Sequence, residues 1–177
     1  MWIELTNQEM GKAYELANEL PEVMKYNRSG NTQINKMAGR MGEIAWAKYL
    51  KAQHVDDFEY DLVHNGKRIE VKTMVRTVAP RLNFSFRIAI HEHVQDCDLY
   101  AFASVETYDI TVNGEKRTKF KKGVHLCGWV TKEESLQWPQ VKKGDPWPTR
   151  PEKRELGDAY INEIATFHRP EALQNEA

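Results

Sequence analysis

An Asn-Gly pair at residues 65 and 66, flanked by two alternating runs of apolar and polar residues, constrains this chain more than any other feature. The pair is the strongest short-range signal for a two-residue type I′ β-hairpin, and such a turn fixes the register of both strands. Counting outward from the turn places Leu62 opposite Ile69 and Asp61 opposite Glu70. The apolar face of the hairpin, which we predict to pack on the core, consists of Tyr60, Leu62, Ile69 and Val71.

The other face of this hairpin carries an unfavourable pair of charges. Directly opposed side chains lie about 4.5–5.5 Å apart at Cβ, and like charges at that spacing cost stability. Asp61 and Glu70 form such a pair, and Lys72 follows two residues along the same face. A divalent cation between the two acids is the economical explanation, because Mg²⁺ binds through one or two carboxylates plus waters and phosphate oxygens. The alternative is a solvated face on which Lys72 and Arg68 neutralise the acids.

Length and composition limit the class of protein. A chain of 177 residues, 41% hydrophobic and 29% charged, is typical of a single soluble domain with its own core. No apolar run reaches membrane-spanning length and no signal-like segment is present, which predicts a cytoplasmic protein without a membrane partner. Cys97 and Cys127 lack zinc-type spacing and are predicted to be reduced. The net charge of −1 gives no bulk signal for nucleic-acid binding, but it leaves room for a local basic surface.

A helix over about residues 31–52 carries an isolated acid. One of its two apolar stripes contains a single charge, Glu43, flanked by Gly39 and Gly42. Two glycines inside a helix cost stability, so they indicate that another backbone approaches closely there. Glu43 on such a face is either a metal ligand or paired, with Arg40 or Lys48 as its partner.

The remaining segments are assigned from local signals. Thr6 and Glu9 form a capping box that begins a helix over residues 6–20, with Met10, Ala13, Tyr14, Ala17 and Leu20 as its apolar face. The alternating segment 83–90 predicts the third strand of the sheet, with Phe84, Phe86, Ile88 and Ile90 facing inward. The other predictions are strands over 99–105 and 124–130, an Asn-Gly hairpin at 113–114, a helix capped by Thr131, a loop over 138–151, helix or strand over 156–167, and a loose tail beyond Pro170.

The order of the acidic residues resembles the PD-(D/E)xK nuclease superfamily. The resemblance covers about residues 35–130 and rests on Glu43 in a helix, Asp61 on a strand, and Glu-x-Lys at residues 70–72. Gly-x-x-Gly-Glu at residues 39–43 is similar to the first helix of phage-type and resolvase-like members. Tyr60 departs from the pattern, in which a proline precedes the aspartate.

This resemblance implies an α/β (α+β) fold with a restriction-endonuclease-like core. We therefore expect a mixed central sheet of about five strands, flanked by helices, in one nuclease domain over residues 1–177. Its core would span about residues 31–137, after the N-terminal helix at 6–20 and before a C-terminal extension at 138–177.

The resemblance also implies roles for the acidic residues and the lysine. Asp61 and Glu70 would bind Mg²⁺ (or Mn²⁺) with the carbonyl of Val71, and Glu43 would complete the site or hold a second ion. Lys72 would position or help deprotonate the attacking water. Asp61, Glu70, Lys72 and Glu43 are thus the predicted catalytic residues.

Two groups of residues are candidates for binding nucleic acid. Arg87 and Ser85, which alternate with the apolar residues of segment 83–90, either touch phosphate or form an exposed strand face. His91 and His93 are read as a polar connection near the substrate rather than as metal ligands. A basic cluster is either a solvated edge or a set of phosphate contacts; its members are Lys116, Arg117, Lys119, Lys121 and Lys122.

The function implied is a metal-dependent deoxyribonuclease, acting as an endonuclease, an exonuclease or a resolvase of branched DNA. One alternative is a nucleic-acid-binding or assembly protein that keeps the fold without catalysis. Another is a different fold in which the hairpin is merely charged. DNA is the expected partner, a homodimer is left open, and the expected location is the cytoplasm, that of the host if the chain is phage-encoded.

Overall fold

The computed structural model describes residues 1–20, 33–55, 59–90, 95–142 and 159–175, and these form an α+β fold. The helices are α1 (Asn7–Glu19), α2 (Gln33–Leu50), α3 (Lys132–Ser135) and α4 (Pro170–Asn175), with a 3-10 turn at Ile164–Thr166. The strands are β1 (Trp2–Glu4), β2 (Gln53–His54), β3 (Leu62–His64), β4 (Lys67–Arg76), β5 (Ser85–Ala89), β6 (Leu99–Val112), β7 (Glu115–Thr131), β8 (Gln140–Val141) and β9 (Ala159–Glu163).

The described strands form two sheets. The larger has six strands in the order β1-β7-β6-β4-β3-β2, and the smaller has three in the order β5-β9-β8. Within the larger sheet β4 and β6 are parallel, and the other neighbours are antiparallel. A mixed central sheet is therefore confirmed, with one strand more than the five expected. None of the described helices is long and apolar enough to cross a membrane.

The hairpin at residues 65 and 66 has the predicted register over residues 62–64 and 67–69, but the ladder does not extend to the predicted opposition of Asp61 and Glu70. Leu62 pairs with Ile69, and Asn65 and Gly66 have positive φ angles of 48° and 75°, as a type I′ turn requires. The predicted core face is wrong at Tyr60. Leu62 and Ile69 pack on the side of the sheet that α2 covers, whereas Tyr60 packs on the opposite side, because the chain leaves the ladder just before β3 begins.

Apolar side chains fill both sides of the larger sheet, because successive residues of a strand point to opposite faces. α1 and α2 cover one side, and the smaller sheet covers the other, where Phe86 and Ile88 of β5 meet Phe102 of β6. The inward alternation of Phe86 and Ile88 is confirmed. β5 is not the third strand of the main sheet, however, because it pairs with β9. Ile90 is 38% exposed and does not face inward.

Helix α2 packs closely on β4 at one of its two glycines. A Cβ added at Gly42 would overlap Thr73 Oγ1, whereas one added at Gly39 would meet nothing within 4 Å. The predicted close approach is therefore confirmed at Gly42 and wrong at Gly39. Trp46 anchors the same helix, since its Nε1 donates to the carbonyl of Phe102 at 3.3 Å.

Capping boxes begin α1 and α3, and residues 170–175 pack on the fold. Thr6 and Thr131 form the capping boxes of α1 and α3, which confirms both predicted helix starts, but Tyr14 of α1 is 56% exposed and outside the core. The prediction of a loose tail is wrong for the described residues, because α4 begins at Pro170 and buries Leu173. Leu173 lies in the core on the side of the larger sheet that α1 and α2 cover, which we call the helix-side core. Within the described part of the ambiguous segment 156–167, residues 159–163 form strand β9 and residues 164–166 a 3-10 turn, and β8 lies within the predicted loop. His91, His93 and residues 143–151 lie outside the described residues.

Candidate metal and catalytic site

Asp61 lies where the β3–β4 ladder ends. Its backbone N–H donates to the carbonyl of Ile69 at 2.9 Å, and its Oδ2 accepts from the backbone N–H of Val71 at 2.7 Å. The carboxylate thus occupies the place of a backbone carbonyl that a longer β3 would offer to β4. Because the N–H and C=O of one strand residue project toward the same neighbour, the Val71 carbonyl faces the same edge as Asp61.

Glu70 and Lys72 lie on one face of β4, as their alternation predicts. Lys72 Nζ donates to Glu70 Oε1 at 2.8 Å, and both side chains are largely buried. On the neighbouring strand β6, Glu70 is opposite Tyr100 and Lys72 is opposite Phe102. The acid and the lysine therefore share the side of the sheet that the smaller sheet covers.

Glu43 approaches from α2 with its carboxylate held by two partners. Its Oε2 lies 2.8 Å from Arg40 NH1 and 2.9 Å from His54 Nε2. Of the two predicted pairings, the one with Arg40 is confirmed, and Lys48 instead pairs with Glu9 at 3.0 Å. Sequence reasoning missed His54, whose only signal is a histidine placed soon after the helix that carries the lone acid.

The charges of Glu70 and Glu43 act on the carboxylate of Asp61. Burial raises the pKa of Asp61 well above its ordinary value, and the charges of Glu70 and Glu43 raise it further. The Val71 N–H and the Lys72 ammonium lower this pKa without offsetting the rise. Because charge interactions weaken with distance, this effect places both acids near the Asp61 carboxylate. The structure thus gathers Glu43, Asp61, Glu70 and Lys72 into one region.

The donors around Asp61 fit a magnesium ion by their chemistry. Among the described residues, no group of three or more His, Cys, Asp or Glu side chains is arranged to hold a metal ion by itself. Mg²⁺ does not need such a cage, because it takes one or two carboxylates and keeps several waters. Hydrogen bonds from the described residues engage only Oδ2 of Asp61, which leaves its Oδ1 available. The raised pKa of Asp61 reflects burial first and then the charges of Glu70 and Glu43, and a bound cation would favour the ionised carboxylate against both.

Arg68 does not neutralise this site, in contrast to the alternative considered from the sequence. Its NH2 donates to Asp98 Oδ1 at 3.0 Å and its NH1 contacts Asp96. Hydrogen bonds from Arg68 lower the pKa of Asp98. Of the two cations proposed for that role, Lys72 alone contacts an acid of the predicted pair, and that acid, Glu70, is buried rather than solvated.

The predicted nucleic-acid residues lie apart from this site. Arg87 is exposed on β5, on the side opposite its buried neighbours Phe86 and Ile88, so it faces away from the main sheet. Ser85 is half-buried on the same strand, and its carbonyl accepts from Arg76 at 3.1 Å. The basic cluster lies on the exposed part of β7. Four of its members have polar partners: Lys116 with Asp109, Arg117 with Glu115, Lys121 with Glu106, and Lys122 with Asn7.

Comparisons with family models, curated proteins and solved structures find no match to this chain. The class of protein is therefore inferred from the fold and the site alone. The features that bear on it are a mixed sheet, a helix carrying a buried acid, and an acid-lysine pair on the strand that a half-buried aspartate contacts.

Proposed function

We propose that this chain is a metal-dependent nuclease that hydrolyses phosphodiester bonds in DNA. The observation that supports the proposal most is that the charges of Glu43 and Glu70 both act on the half-buried carboxylate of Asp61, with Lys72 ion-paired to Glu70. Clustered carboxylate oxygens suit Mg²⁺ or Mn²⁺, and a lysine on the same strand face suits contact with a phosphate. The restriction-endonuclease-like core that the sequence resembles would be the scaffold.

Each residue of the region has a role in this proposal. Asp61 and Glu70 would hold the ion, with the Val71 carbonyl as a further ligand. Glu43 would complete the site as its third acid. When bound, such an ion lowers the pKa of a water and neutralises charge that develops on the phosphate. Lys72 Nζ orients the attacking water and offsets phosphoryl charge. Its hydrogen bond to Glu70 holds it in place for this role.

Cleavage assays test the proposal directly. Single-stranded, duplex, flapped and branched DNA are incubated with the purified chain and Mg²⁺ or Mn²⁺. We expect cleavage of at least one substrate, and we expect Lys72→Ala to slow it by about 10²–10⁴-fold, the usual contribution of a positioned acid-base group. Lys12→Ala is the matched control, because Lys12 is an exposed lysine of α1 outside the site. Equal rates for wild type and Lys72→Ala would refute the catalytic assignment.

Metal binding is measured separately by thermal unfolding. Mg²⁺ that binds the folded state raises the unfolding temperature with increasing concentration. We expect that rise in the wild-type protein and its loss in Asp61→Asn, which keeps an acceptor for the Val71 N–H but removes the charge. A protein that binds DNA, shows no metal-dependent rise and cuts no substrate would be the non-catalytic alternative.

A further inference from the structure

Strands β6 and β7 continue beyond the larger sheet as a two-stranded ribbon. The pairing of β6 with β4 ends at Glu106, and the pairing of β7 with β1 ends at Gly123. Farther out, in the described structure, residues 107–112 pair only with residues 115–120. The turn at Asn113 and Gly114 has positive φ angles of 53° and 81°, so it closes a second type I′ hairpin.

One face of the ribbon stabilises it. Directly opposed residues share a face, and successive pairs alternate between faces. Asp109 accepts from Thr118 Oγ1 at 2.8 Å and pairs with Lys116 at 2.8 Å. Phe120, on the same face, packs against the helix-side core. Because an isolated hairpin is only marginally stable, these contacts explain how the ribbon keeps its shape beyond the sheet.

The other face, which we call the outer face, is basic and aromatic. Tyr108 lies opposite Lys119, and Ile110 lies opposite Arg117. Tyr108 is 48% exposed, and both cations are exposed. Within the part of the chain that the structure describes, Lys119 has no ion pair. Arg117 contacts Glu115 at 3.3 Å in an exposed pair, of the kind that contributes little and that a phosphate can displace.

The outer face lies on the same side of the sheet as Glu70 and Lys72. Lys72 is opposite Phe102 on β6, and alternation along β6 carries that side through to Tyr108. The packing of Phe120 on the helix side supports this assignment, because Phe120 belongs to the opposite face. Tyr108 lies six residues beyond Phe102, or about 20 Å along the strand, and Ile110 about 26 Å.

We propose that the outer face docks in the major groove of duplex DNA, about six to eight base pairs from the scissile phosphate at a rise of about 3.4 Å per base pair. This inference rests on the proposed nuclease function and names its substrate as duplex. The major groove is about 12 Å wide and admits a two-stranded ribbon. Lys119 and Arg117, both on β7, contact the phosphates along one wall of the groove, while Tyr108 and Ile110 on β6 face the base edges.

A duplex fits this face better than a single strand does. Proteins that bind single strands stack successive bases on aromatic side chains, so they present several of them along a groove. The outer face presents one aromatic residue, Tyr108, on a narrow ribbon whose charges lie on the opposite strand. That arrangement suits a groove in which β7 follows one row of phosphates and β6 faces the base edges.

DNA binding in a Lys72→Ala background, which is expected to slow cleavage, tests this inference. Fluorescence anisotropy with a duplex of about 30 base pairs is measured between 50 and 200 mM salt. A lost phosphate contact makes the slope of log K against log salt shallower by about 0.9. Between 50 and 200 mM salt, the fold-decrease in affinity of Lys119→Ala is therefore expected to be about 3.5 times smaller than that of its parent. Lys12→Ala removes the same charge from α1 and is expected to keep the parent slope. Tyr108→Ala should weaken duplex binding without changing the slope.

The same variants are measured on a single strand of the same sequence, and thermal unfolding checks that they remain folded. Weakening on the duplex alone supports the proposal. Equal weakening on the single strand, or identical behaviour of Lys119→Ala and Lys12→Ala on the duplex, overturns it. Cleavage by wild type with no effect of the ribbon variants refutes this inference and leaves the nuclease proposal standing. Ribbon-dependent duplex binding without cleavage refutes the nuclease proposal alone, and absence of any DNA binding refutes both.

Discussion

At the scale of single residues, Asp61 combines a structural and a chemical role. Its Oδ2 accepts the Val71 N–H that strand β3 would otherwise pair, and this bond holds the half-buried carboxylate at the edge of the ladder. The same position puts it beside Glu70 and Glu43, whose charges raise its pKa. A chain selected only for stability would avoid a half-buried carboxylate close to two buried ones. The cluster therefore lowers the free energy of unfolding, and a bound cation would reduce that loss.

This cost predicts a pH dependence of stability for the metal-free protein. The pKa of Asp61 is raised in the folded state, so the unfolded chain releases its proton at lower pH than the folded one. The contribution of Asp61 to the free energy of unfolding is fully present below the ordinary pKa of an aspartate. It is lost as the pH rises toward the raised pKa of the folded state. We expect Asp61→Asn to remove this loss. For a domain of this size each 1 kcal/mol regained corresponds to about 2–4 °C in unfolding temperature.

Urea unfolding of the metal-free protein between pH 4 and pH 8 measures this effect. Asp109→Asn is the matched control, because Asp109 is exposed and its pKa is lowered by Lys116, which gives the opposite sign. The control should keep the loss of stability at rising pH. An unchanged pH dependence in Asp61→Asn would contradict the electrostatic account of the site.

At the scale of elements, the packing of α2 on β4 positions the site. Gly42 lets the helix approach Thr73, and the next residue, Glu43, is thereby brought to the edge where Asp61 lies. Trp46 one turn later bonds the carbonyl of Phe102 and fixes the helix against β6. The contact between α2 and the sheet therefore holds the helical acid near the acids of the hairpin.

The two glycines of α2 give a paired prediction. Gly42→Ala forces the helix away from Thr73, and overpacking of this kind costs about 1–3 kcal/mol of unfolding free energy. Gly39→Ala meets open space and should stabilise the helix by about 0.5–1 kcal/mol. Both values come from urea denaturation. Similar effects of the two substitutions would mean that the close approach at Gly42 is not tight.

At the scale of the whole molecule, residues 164–175 link the apolar cores on the two sides of the larger sheet. Phe167 stacks on Phe102 with ring centroids 4.5 Å apart, on the side of the smaller sheet. His168 exchanges backbone hydrogen bonds of 2.9 and 3.0 Å with Trp129 of β7. Leu173 of α4 is then 1% exposed in the helix-side core. The segment thus passes from one side of the larger sheet to the other and stabilises both.

Leu173→Ala tests this link. Truncating a buried leucine costs about 2–5 kcal/mol, because the removed methyl groups leave a cavity. Leu136→Ala, at a residue that is 43% exposed, is the control and should change the unfolding free energy by less than about 0.5 kcal/mol. Equal effects of the two variants would show that α4 does not contribute to the core.

The features that the sequence predicted well depend on residues close together in the chain. The Asn65-Gly66 turn requires positive φ at two adjacent residues, and the capping box at Thr6 closes within three residues. The common face of Glu70 and Lys72 follows from alternation within one strand. Each of these is decided by local backbone geometry, which the sequence specifies directly.

The sequence by itself therefore determined the two hairpin turns, the capped helix starts, and the acids and lysine that belong to the candidate site. Only the tertiary structure decided the side on which Tyr60 packs, the sheet that β5 joins, and the burial of Leu173. It also decided that His54 contacts Glu43. These outcomes depend on which distant segments bury each other's apolar surface. That competition is settled over the whole chain and leaves no local pattern.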